Sequence, residues 1–441
     1  MAYTTVDNLY GSRACRVADA TYKDATNTFS RSSLTADIPA YVNGQMQCIE
    51  LAGPVFLLGG TGTGKTTIFK EAYKSITKKV VTKKVGNHDS RIVLMIKDDF
   101  RSLIRPKDVV LGENAFWNYF RELPPDFSEQ DMISSQIAEF SFKEKENQLQ
   151  IIFTTAPKAL YKAIILHIKK TYRNPDNYSI LHWLYNADLA AWRDLCNNSV
   201  NRNELLSYLG NLNLNSSIAQ GVLAELNAAV TASLTGQFAV EGGDFSFRSL
   251  LQNGGGVFIK YDLRFGGSND DMYGLMFNLI NTQIMSGIPG KVYEFIDEVS
   301  VLGNALGDNM SRMLNFSRTQ GLGAAYVGAQ SIAQLNTLYG EKGTEEFLAA
   351  FMNKIFLRCN DNASVQYIED SLGKYKALQR RYIPGHSLTI EEKEVSLVED
   401  TELQKMEDLL GIVKLQARDP FYADFHTLLP KNDEYMEEIL C

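Results

Sequence analysis

The chain contains short runs of apolar residues that end in glycine or polar side chains. Their length and continuous apolar character are typical of parallel strands that are buried on both faces of a sheet. These runs occupy residues 54–58, 92–96, 257–259, 292–296, 324–329 and 354–357. Apolar residues at helical spacing lie between most of the runs, so the pattern predicts an α/β fold with a parallel, doubly wound sheet.

A different pattern fills residues 107–241, which are rich in Asn, Leu, Ala and Tyr and contain few strand-like runs. Helical spacing of apolar residues is clear in residues 156–172 and 216–234. We interpret this segment as a mainly helical insertion between two parts of the sheet. Beyond residue 374 the chain becomes acidic, and we interpret that part as a solvated segment packed on the surface of the core.

The first strand-like run leads into a glycine-rich loop and then into an amphipathic helical pattern, which is the context that a P-loop requires. Glycines let backbone N–H groups turn toward phosphates, and the N-terminus of the helix adds partial positive charge. Lys65 can reach the β- and γ-phosphates of ATP, and the Thr66 hydroxyl can bind Mg²⁺. The predicted nucleotide-binding residues are Gly59, Gly60, Thr61, Gly62, Thr63, Gly64, Lys65, Thr66 and Thr67.

Two other strand ends carry side chains suited to ATP hydrolysis. Asp297 and Glu298 follow one run, and we predict that Asp297 holds the magnesium while Glu298 polarises the attacking water. Helix capping would also explain an acidic pair at this position, but not its combination with a P-loop. Gln330 follows another run and is predicted to sense the γ-phosphate or orient water, the alternative being a capping or buried glutamine.

These motifs predict a RecA-like P-loop NTPase, with a mainly parallel sheet flanked by helices and a mainly helical inserted domain. Residues 1–106 would hold an N-terminal segment and the first part of the nucleotide-binding domain. Residues 107–241 would form the helical insertion. Residues 242–441 would complete the nucleotide-binding domain and add the acidic C-terminal segment.

Arginines are candidates for a finger that stabilises the charge on a neighbouring subunit's nucleotide. Arg312 and Arg318 lie on a predicted helix, and Arg318 is the first choice as a catalytic residue. Arg358 follows the last strand-like run and is a further candidate. A solvated surface role is the alternative for each of them.

The net charge of the chain bears on whether the protein binds nucleic acid. The formal net charge of -8 argues against a protein that coats nucleic acid along its whole surface, while a local basic channel is compatible with it. We interpret the lysines that follow the P-loop as the solvated face of its helix, with contact to a phosphate backbone as the alternative. They are Lys70, Lys74, Lys78, Lys79, Lys83 and Lys84.

Five scattered cysteines favour a reducing cytoplasm over a disulfide framework, and the five histidines lack metal-ligand spacing. No apolar run reaches the roughly 18 to 20 residues that cross a bilayer, and the N-terminus lacks a signal-peptide core. We therefore expect a cytoplasmic protein without a transmembrane segment, whose contact with the inner face of the membrane would go through partners.

The chain resembles the type IV coupling proteins, in particular the TraD-like branch. The P-loop and the acidic strand end at residues 295–303 are similar to those of the family, as are the aromatic stretches at residues 116–122 and 245–248. The most specific similarity is a block of motifs in a fixed order. An arginine and a glycine come first, a strand that ends in Gln-Ser follows, and Gln-Leu and Tyr-Gly come last. The block occupies residues 317–321, 328–335 and 338–340, and residues 356–358 and 371–373 match later motifs.

This resemblance implies a hexameric ATPase that feeds DNA and effector proteins into a type IV secretion channel. It implies DNA, a relaxase or relaxosome, effectors and channel components as partners, and it assigns the insertion to the family's all-α domain. The chain departs from the family in lacking two N-terminal transmembrane helices. It also has Lys97-Asp98-Asp99 where the family has Asp-Lys-Gly, so the role of that loop stays open.

Three hypotheses of function follow. The first is an ATP-driven motor that moves DNA or a nucleoprotein to a secretion or conjugation channel. The second is a substrate receptor or adaptor that uses the nucleotide as a switch. The third is a soluble DNA-pumping ATPase of the segregation or repair type.

Overall fold

The computed structural model describes residues 3–8, 34–82, 88–142, 152–262, 264, 269–302, 314, 321–382, 389–416 and 418–429. Arg312 and Arg318, together with Lys83 and Lys84, lie outside these residues. No helix in the described ranges is both long enough and apolar enough to cross a membrane.

The strands form one large sheet and one small sheet. They are β1 (Tyr3–Asn8), β2 (Ala36–Val42), β3 (Gln45–Leu51), β4 (Val55–Leu58), β5 (Ser90–Met95), β6 (Val109–Leu111), β7 (Gly255–Lys260), β8 (Val292–Ile296), β9 (Leu322–Ala329), β10 (Asn353–Phe356), β11 (Lys374–Tyr382), β12 (Thr389–Ser396), β13 (Leu410–Lys414) and β14 (Phe421–Asp424). The large sheet has eleven strands in the order β3-β2-β14-β13-β10-β4-β9-β8-β5-β7-β6, and the small one has the order β1-β11-β12.

The part of the large sheet from β10 to β6 is entirely parallel. All six apolar runs that the sequence predicted as strands coincide with strands of this part. In the described residues, α-helices lie between β4 and β5, between β7 and β8 and between β9 and β10, as parallel pairing requires. The prediction of an α/β fold with a mainly parallel sheet is therefore confirmed.

Helices cover both faces of this sheet and fill the segment between β6 and β7. They are α1 (Lys65–Thr82), α2 (Phe127–Ser141), α3 (Ile152–Thr171), α4 (Asn177–Asn186), α5 (Leu189–Asn197), α6 (Arg202–Tyr208), α7 (Ser217–Ser233), α8 (Phe247–Asn253), α9 (Asp270–Met285), α10 (Ile332–Ala349), α11 (Asn362–Leu372) and α12 (Asp400–Lys405). Helices α2 to α7 lie within the segment that the sequence predicted to be helical.

Two separate cores lie on the two faces of the large sheet, and β4 contributes to both. Its residues Val55 and Leu57 pack on the side of α1, while Phe56 and Leu58 belong to the core that extends into α2, α3 and α7. All four side chains are buried, which explains why this strand is apolar throughout rather than alternating.

A buried polar joint connects the helical segment to the sheet. Glu122 is fully buried, and its Oε1 accepts hydrogen bonds from Trp117 Nε1 at 2.9 Å and from the backbone N–H of Phe247 at 2.7 Å. Its Oε2 accepts from the backbone N–H of Arg248 and from Gln283 Nε2, both at 2.9 Å. Burial raises the pKa of Glu122, and these bonds oppose that shift. The carboxylate thus caps the N-terminus of α8 and ties it to α9.

The C-terminal part of the chain differs from its prediction as a solvated surface segment. Strand β13 pairs antiparallel with β10, β14 pairs antiparallel with β13, and β2 pairs antiparallel with β14. Ile412 and Val413 are fully buried in β13. The acidic residues that suggested a surface segment precede these strands, so charge alone was a poor guide to where the sheet continues.

Candidate functional site

The P-loop joins β4 to α1 in the predicted way, and its glycines are needed for their backbone conformation. Gly62 and Gly64 have φ values of +80° and +106°, in the region that side chains with a Cβ rarely adopt. Lys65 begins α1 and folds back over the loop, where its Nζ donates to the carbonyls of Gly59 and, at 3.0 Å, Gly60. Burial lowers the pKa of the Lys65 ammonium. The Lys65 side chain is therefore held over the P-loop by the loop's own carbonyls.

The acidic strand end lies directly beside this loop. Thr66 Oγ1 donates a hydrogen bond of 2.6 Å to Asp297 Oδ2, although the two residues are 231 positions apart in the chain. Asp297 Oδ1 is buried and has no partner within the structure. Burial raises the pKa of the Asp297 carboxyl, while the bond from Thr66 and the charge of Lys65 oppose this shift. The Thr66 hydroxyl and the Asp297 carboxylate thus lie together, and these are the two groups that the protein supplies to Mg²⁺ in a P-loop site.

The side chains at this site fit a Mg²⁺ ion that is also bound by water and phosphate, rather than an ion bound by protein ligands alone. Among the described residues, no group of three or more His, Cys, Asp or Glu side chains could hold a metal by itself. Magnesium in such sites usually keeps several waters and takes further ligands from phosphates. Thr66 with the unpartnered oxygen of Asp297 is sufficient for that mode of binding.

Glu298 is oriented by its neighbour and keeps one oxygen available. Ser300 Oγ donates to Glu298 Oε1 at 2.6 Å, while Glu298 Oε2 is buried and has no hydrogen-bond partner within the described part of the chain. Burial raises the pKa of Glu298, and the bond from Ser300 and the charge of Lys65 lower it. A carboxylate with one fixed and one free oxygen has the arrangement of a general base.

Gln330 lies on the neighbouring strand end and contacts the tip of the P-loop. Its Oε1 accepts a hydrogen bond of 3.1 Å from Thr61 Oγ1, and the backbone N–H of Gly59 donates to Ala329 at 3.2 Å. The following residue, Ser331, caps α10, so capping is not the task of the glutamine itself. Gln330 therefore lies at the end of β9, the strand between β4, which leads into the P-loop, and β8, which carries the acidic pair.

Arg358 lies on the other flank of the P-loop. Its backbone carbonyl accepts a 2.8 Å hydrogen bond from the Gly60 N–H, and its guanidinium pairs with Asp408 at 2.7 Å. A further bond of 3.3 Å joins the guanidinium to the Met406 carbonyl. The predicted finger residues Arg312 and Arg318 lie outside the described residues, so among the three candidates only the position of Arg358 is given.

The structure also locates the Lys97-Asp98-Asp99 segment and the lysines of α1. Lys97, Asp98 and Asp99 are exposed and follow β5, and the two aspartates begin a short 3₁₀ helix (Asp98–Leu103). Because Leu94 of β5 pairs with Ile296 of β8, these residues lie beside the acidic strand end. On α1, Lys79 binds Asp37 at 2.5 Å and Lys74 binds Glu71 at 3.3 Å. These intramolecular partners favour the interpretation of the α1 lysines as a solvated face.

The sequence interpretation assigned residues 406–409 to the acidic surface segment, whereas in the structure they lie against the P-loop. The backbone N–H of Leu409 donates to the Thr63 carbonyl at 3.0 Å, and its side chain lies directly over Gly64. Leu409 also has a φ of +61°, which is uncommon for leucine. No local sequence signal marks a leucine in this conformation.

Replacing Gly64 with alanine should weaken nucleotide binding strongly. A Cβ built on Gly64 would lie 2.3 Å from Leu409 Cδ2, and the φ of +106° would be strained as well. We expect affinity for ADP with Mg²⁺, measured by isothermal titration calorimetry, to fall by about 100-fold, as about 3 kcal/mol of strain implies. Gly287→Ala is the control, because its φ is +91° but open space surrounds it. Equal affinities of the Gly64 variant and the wild type would contradict this account.

Comparison with known proteins agrees with this geometry. A family model described as the type IV secretion-system coupling protein DNA-binding domain matches residues 49–423. Comparison with curated protein sequences finds no match. Among solved structures, the unbound bacterial conjugative coupling protein TrwBdeltaN70 aligns with a TM-score of 0.66 at 20% identity, covering 86% of this chain and 88% of that chain.

Two further structures share the fold. Plasmid coupling protein TrwB in complex with the ATP analogue ADPNP has a TM-score of 0.68 at 18% identity, over 96% of this chain and 94% of that chain. VirB4 of Thermoanaerobacter pseudethanolicus has a TM-score of 0.51 at 11% identity, over 92% of this chain and 98% of that chain. The predicted RecA-like fold is thereby confirmed. Because the family model spans most of its length, the chain belongs to the type IV secretion-system coupling protein family.

Proposed function

We propose that the chain is an ATP-driven coupling protein that moves DNA or a nucleoprotein toward a type IV secretion or conjugation channel. The observation that carries this proposal is the contact between Thr66 and Asp297 beside the buried Glu298. Solved structures of the similar protein TrwB hold ADPNP, GDPNP, or ADP with Mg²⁺. The family model that matches this chain is described as a DNA-binding domain.

Each residue of the site has a defined task in this proposal. The P-loop N–H groups and Lys65 hold the β- and γ-phosphates, and Thr66 with Asp297 holds Mg²⁺. When bound, Mg²⁺ neutralises charge on the phosphate oxygens. Glu298 takes a proton from the attacking water on Oε2, while Ser300 keeps its other oxygen in place. Gln330 contacts the loop through Thr61 and senses the γ-phosphate.

The proposal includes an assembly and its partners. Six copies would form a ring in which Arg318, or alternatively Arg312 or Arg358, acts on the nucleotide of a neighbouring subunit. Residues 107–241 would form the all-α domain that receives the relaxase or effector, and residues 1–106 and 242–441 would form the motor. The ring would work on the cytoplasmic side of the membrane, at the secretion channel.

Hydrolysis and its coupling to DNA test the proposal directly. ATPase activity of the wild type should rise on addition of single- or double-stranded DNA. Lys65→Ala and Glu298→Gln should each lower the rate by about 100-fold, because each removes a charge that acts in the transition state. Lys342→Ala and Glu341→Gln, on the exposed surface of α10, are matched controls. Activity indifferent to DNA, combined with no DNA binding at moderate salt, would refute translocation.

A receptor function is the second candidate, and a groove in the helical segment favours it. The groove has a volume of about 670 Å³ and lies between α2, α3 and the connection from α5 to α6. Phe127 and Val200 line it and are 55% and 83% exposed. If the groove receives a protein substrate, the full-length chain should retain a relaxase or effector from the same system, and Val200→Asp should lose it. Retention unchanged by Val200→Asp would count against the groove.

A further inference from the structure

The P-loop has two flanks, and they differ in chemistry. On one flank β9 and β8 bring Gln330, Asp297 and Glu298 to the loop. On the other flank β10 pairs with β4 and brings Arg358, whose carbonyl binds the Gly60 N–H. The first flank holds the groups that act on the γ-phosphate and the metal. A nucleotide with its γ-phosphate there must direct its α-phosphate and nucleoside away from β8, toward the second flank.

The second flank is built from two segments that are fixed to the P-loop. Leu409 donates its N–H to the Thr63 carbonyl at 3.0 Å, and its own carbonyl accepts from the Phe425 N–H at 2.8 Å. These bonds and the contact with Gly64 hold the uncommon backbone conformation of Leu409 in place. Strained residues that the surrounding structure holds in this way cluster at ligand sites. The neighbouring Asp408 is therefore presented at a defined position beside the loop.

Arg358 and Asp408 form an accessible pair at this position. The distance between Arg358 Nη2 and Asp408 Oδ1 is 2.7 Å, and their side chains are 32% and 54% exposed. The bond from the guanidinium to the Met406 carbonyl fixes the plane of the arginine. A carboxylate accepts hydrogen bonds from ribose hydroxyls, and a guanidinium plane stacks on aromatic rings.

We propose that Arg358 and Asp408 form the nucleoside subsite of this P-loop, an inference that rests on the proposed ATPase function. Asp408 accepts hydrogen bonds from the ribose hydroxyls, and the plane of Arg358 lies against the base. Stacking has no preference for one base, whereas the hydroxyl contact distinguishes ribonucleotides from nucleotides without hydroxyls. Asp408 is then the specificity-determining residue of the subsite, and Arg358 contacts the base in its own subunit rather than acting as a finger for the next one.

Calorimetric titration with ADP and with 2′,3′-dideoxy-ADP, both with Mg²⁺, tests this subsite without requiring hydrolysis. The wild type should bind ADP about tenfold more tightly, as one charge-assisted hydrogen bond implies. Asp408→Asn should bind both nucleotides with the weaker affinity, and the adjacent control Glu407→Gln should keep the tenfold ratio.

The other outcomes separate the two claims. Equal affinity of the wild type for both nucleotides would overturn the subsite and leave the ATPase proposal intact. A ratio that stays tenfold in Asp408→Asn, with both affinities lowered alike, would show that the pair only stabilises the loop and would also overturn it. Failure of the wild type to bind ADP at all would overturn the proposed function and this inference together.

Discussion

Replacing Glu122 with glutamine should lower the free energy of unfolding by about 4 kcal/mol, because buried N–H donors would lose their acceptor. Each carboxylate oxygen accepts two hydrogen bonds, from Trp117 and Phe247 on one side and from Arg248 and Gln283 on the other. Whichever oxygen becomes an NH₂ group, two donors then face another donor in a site without water access.

Urea unfolding followed by circular dichroism measures this loss as a lower midpoint. Gln283→Ala provides a graded variant if the glutamine variant does not fold, since it removes only one of the four donors and should cost about 1 to 2 kcal/mol. Glu129→Gln, on the exposed first turn of α2, is the control and should match the wild type. A midpoint of Glu122→Gln equal to that of the wild type would show that the joint contributes nothing to stability.

The local parts of the site could be predicted from the sequence. A P-loop is a contiguous segment with a fixed strand before it and a fixed helix after it, so its residues alone define its geometry. Asp297 and Gln330 were predictable for a related reason, since parallel strands place their carboxyl ends at one edge of the sheet. The sequence could not show that Thr66 and Asp297 approach to 2.6 Å, because this distance depends on which strands are neighbours.

The parts that escaped prediction depend on pairing between distant segments. Strands β13 and β14 extend the sheet through antiparallel pairing. The acidic residues that precede them led to the prediction of a surface segment, so these strands were not predicted. The joint at Glu122 has the same origin. The sequence shows an aromatic stretch before Glu122 and another before Arg248. Only the structure shows that Glu122 accepts a hydrogen bond from the backbone N–H of Arg248, 126 positions away, at the start of α8.

The same exchange of glutamate for glutamine should have the opposite effect at Glu294. This residue lies in β8 and is fully buried, and neither of its carboxylate oxygens has a hydrogen-bond partner among the residues that the structure describes. Burial alone raises its pKa from 4.5 to about 8. Glu294 is therefore protonated in the folded protein at neutral pH, whereas an unfolded chain releases this proton above pH 4.5.

The sign of the pH dependence follows from this difference. Between pH 4.5 and about 8 the folded state binds one more proton than the unfolded state, so stability is greatest below 4.5 and is lost as the pH rises. A tenfold change in proton affinity corresponds to about 1.4 kcal/mol, so the total loss is at most about 5 kcal/mol. Glutamine has nearly the same shape and does not ionise, so Glu294→Gln should avoid the loss.

Urea midpoints of the wild type and Glu294→Gln, measured from pH 5 to pH 9, should therefore diverge. At pH 5 the two proteins should be nearly equal, and at pH 8.5 the variant should be more stable by about 4 kcal/mol. Glu392→Gln, on the exposed strand β12, controls for the loss of a negative charge as such. A constant difference across this range would mean that Glu294 is already ionised in the folded protein. The two variants would thus compare the stability of a buried glutamate without hydrogen-bond donors with that of a buried glutamate that has four donors around its carboxylate. Of the two residues, Glu122 is the one with four donors.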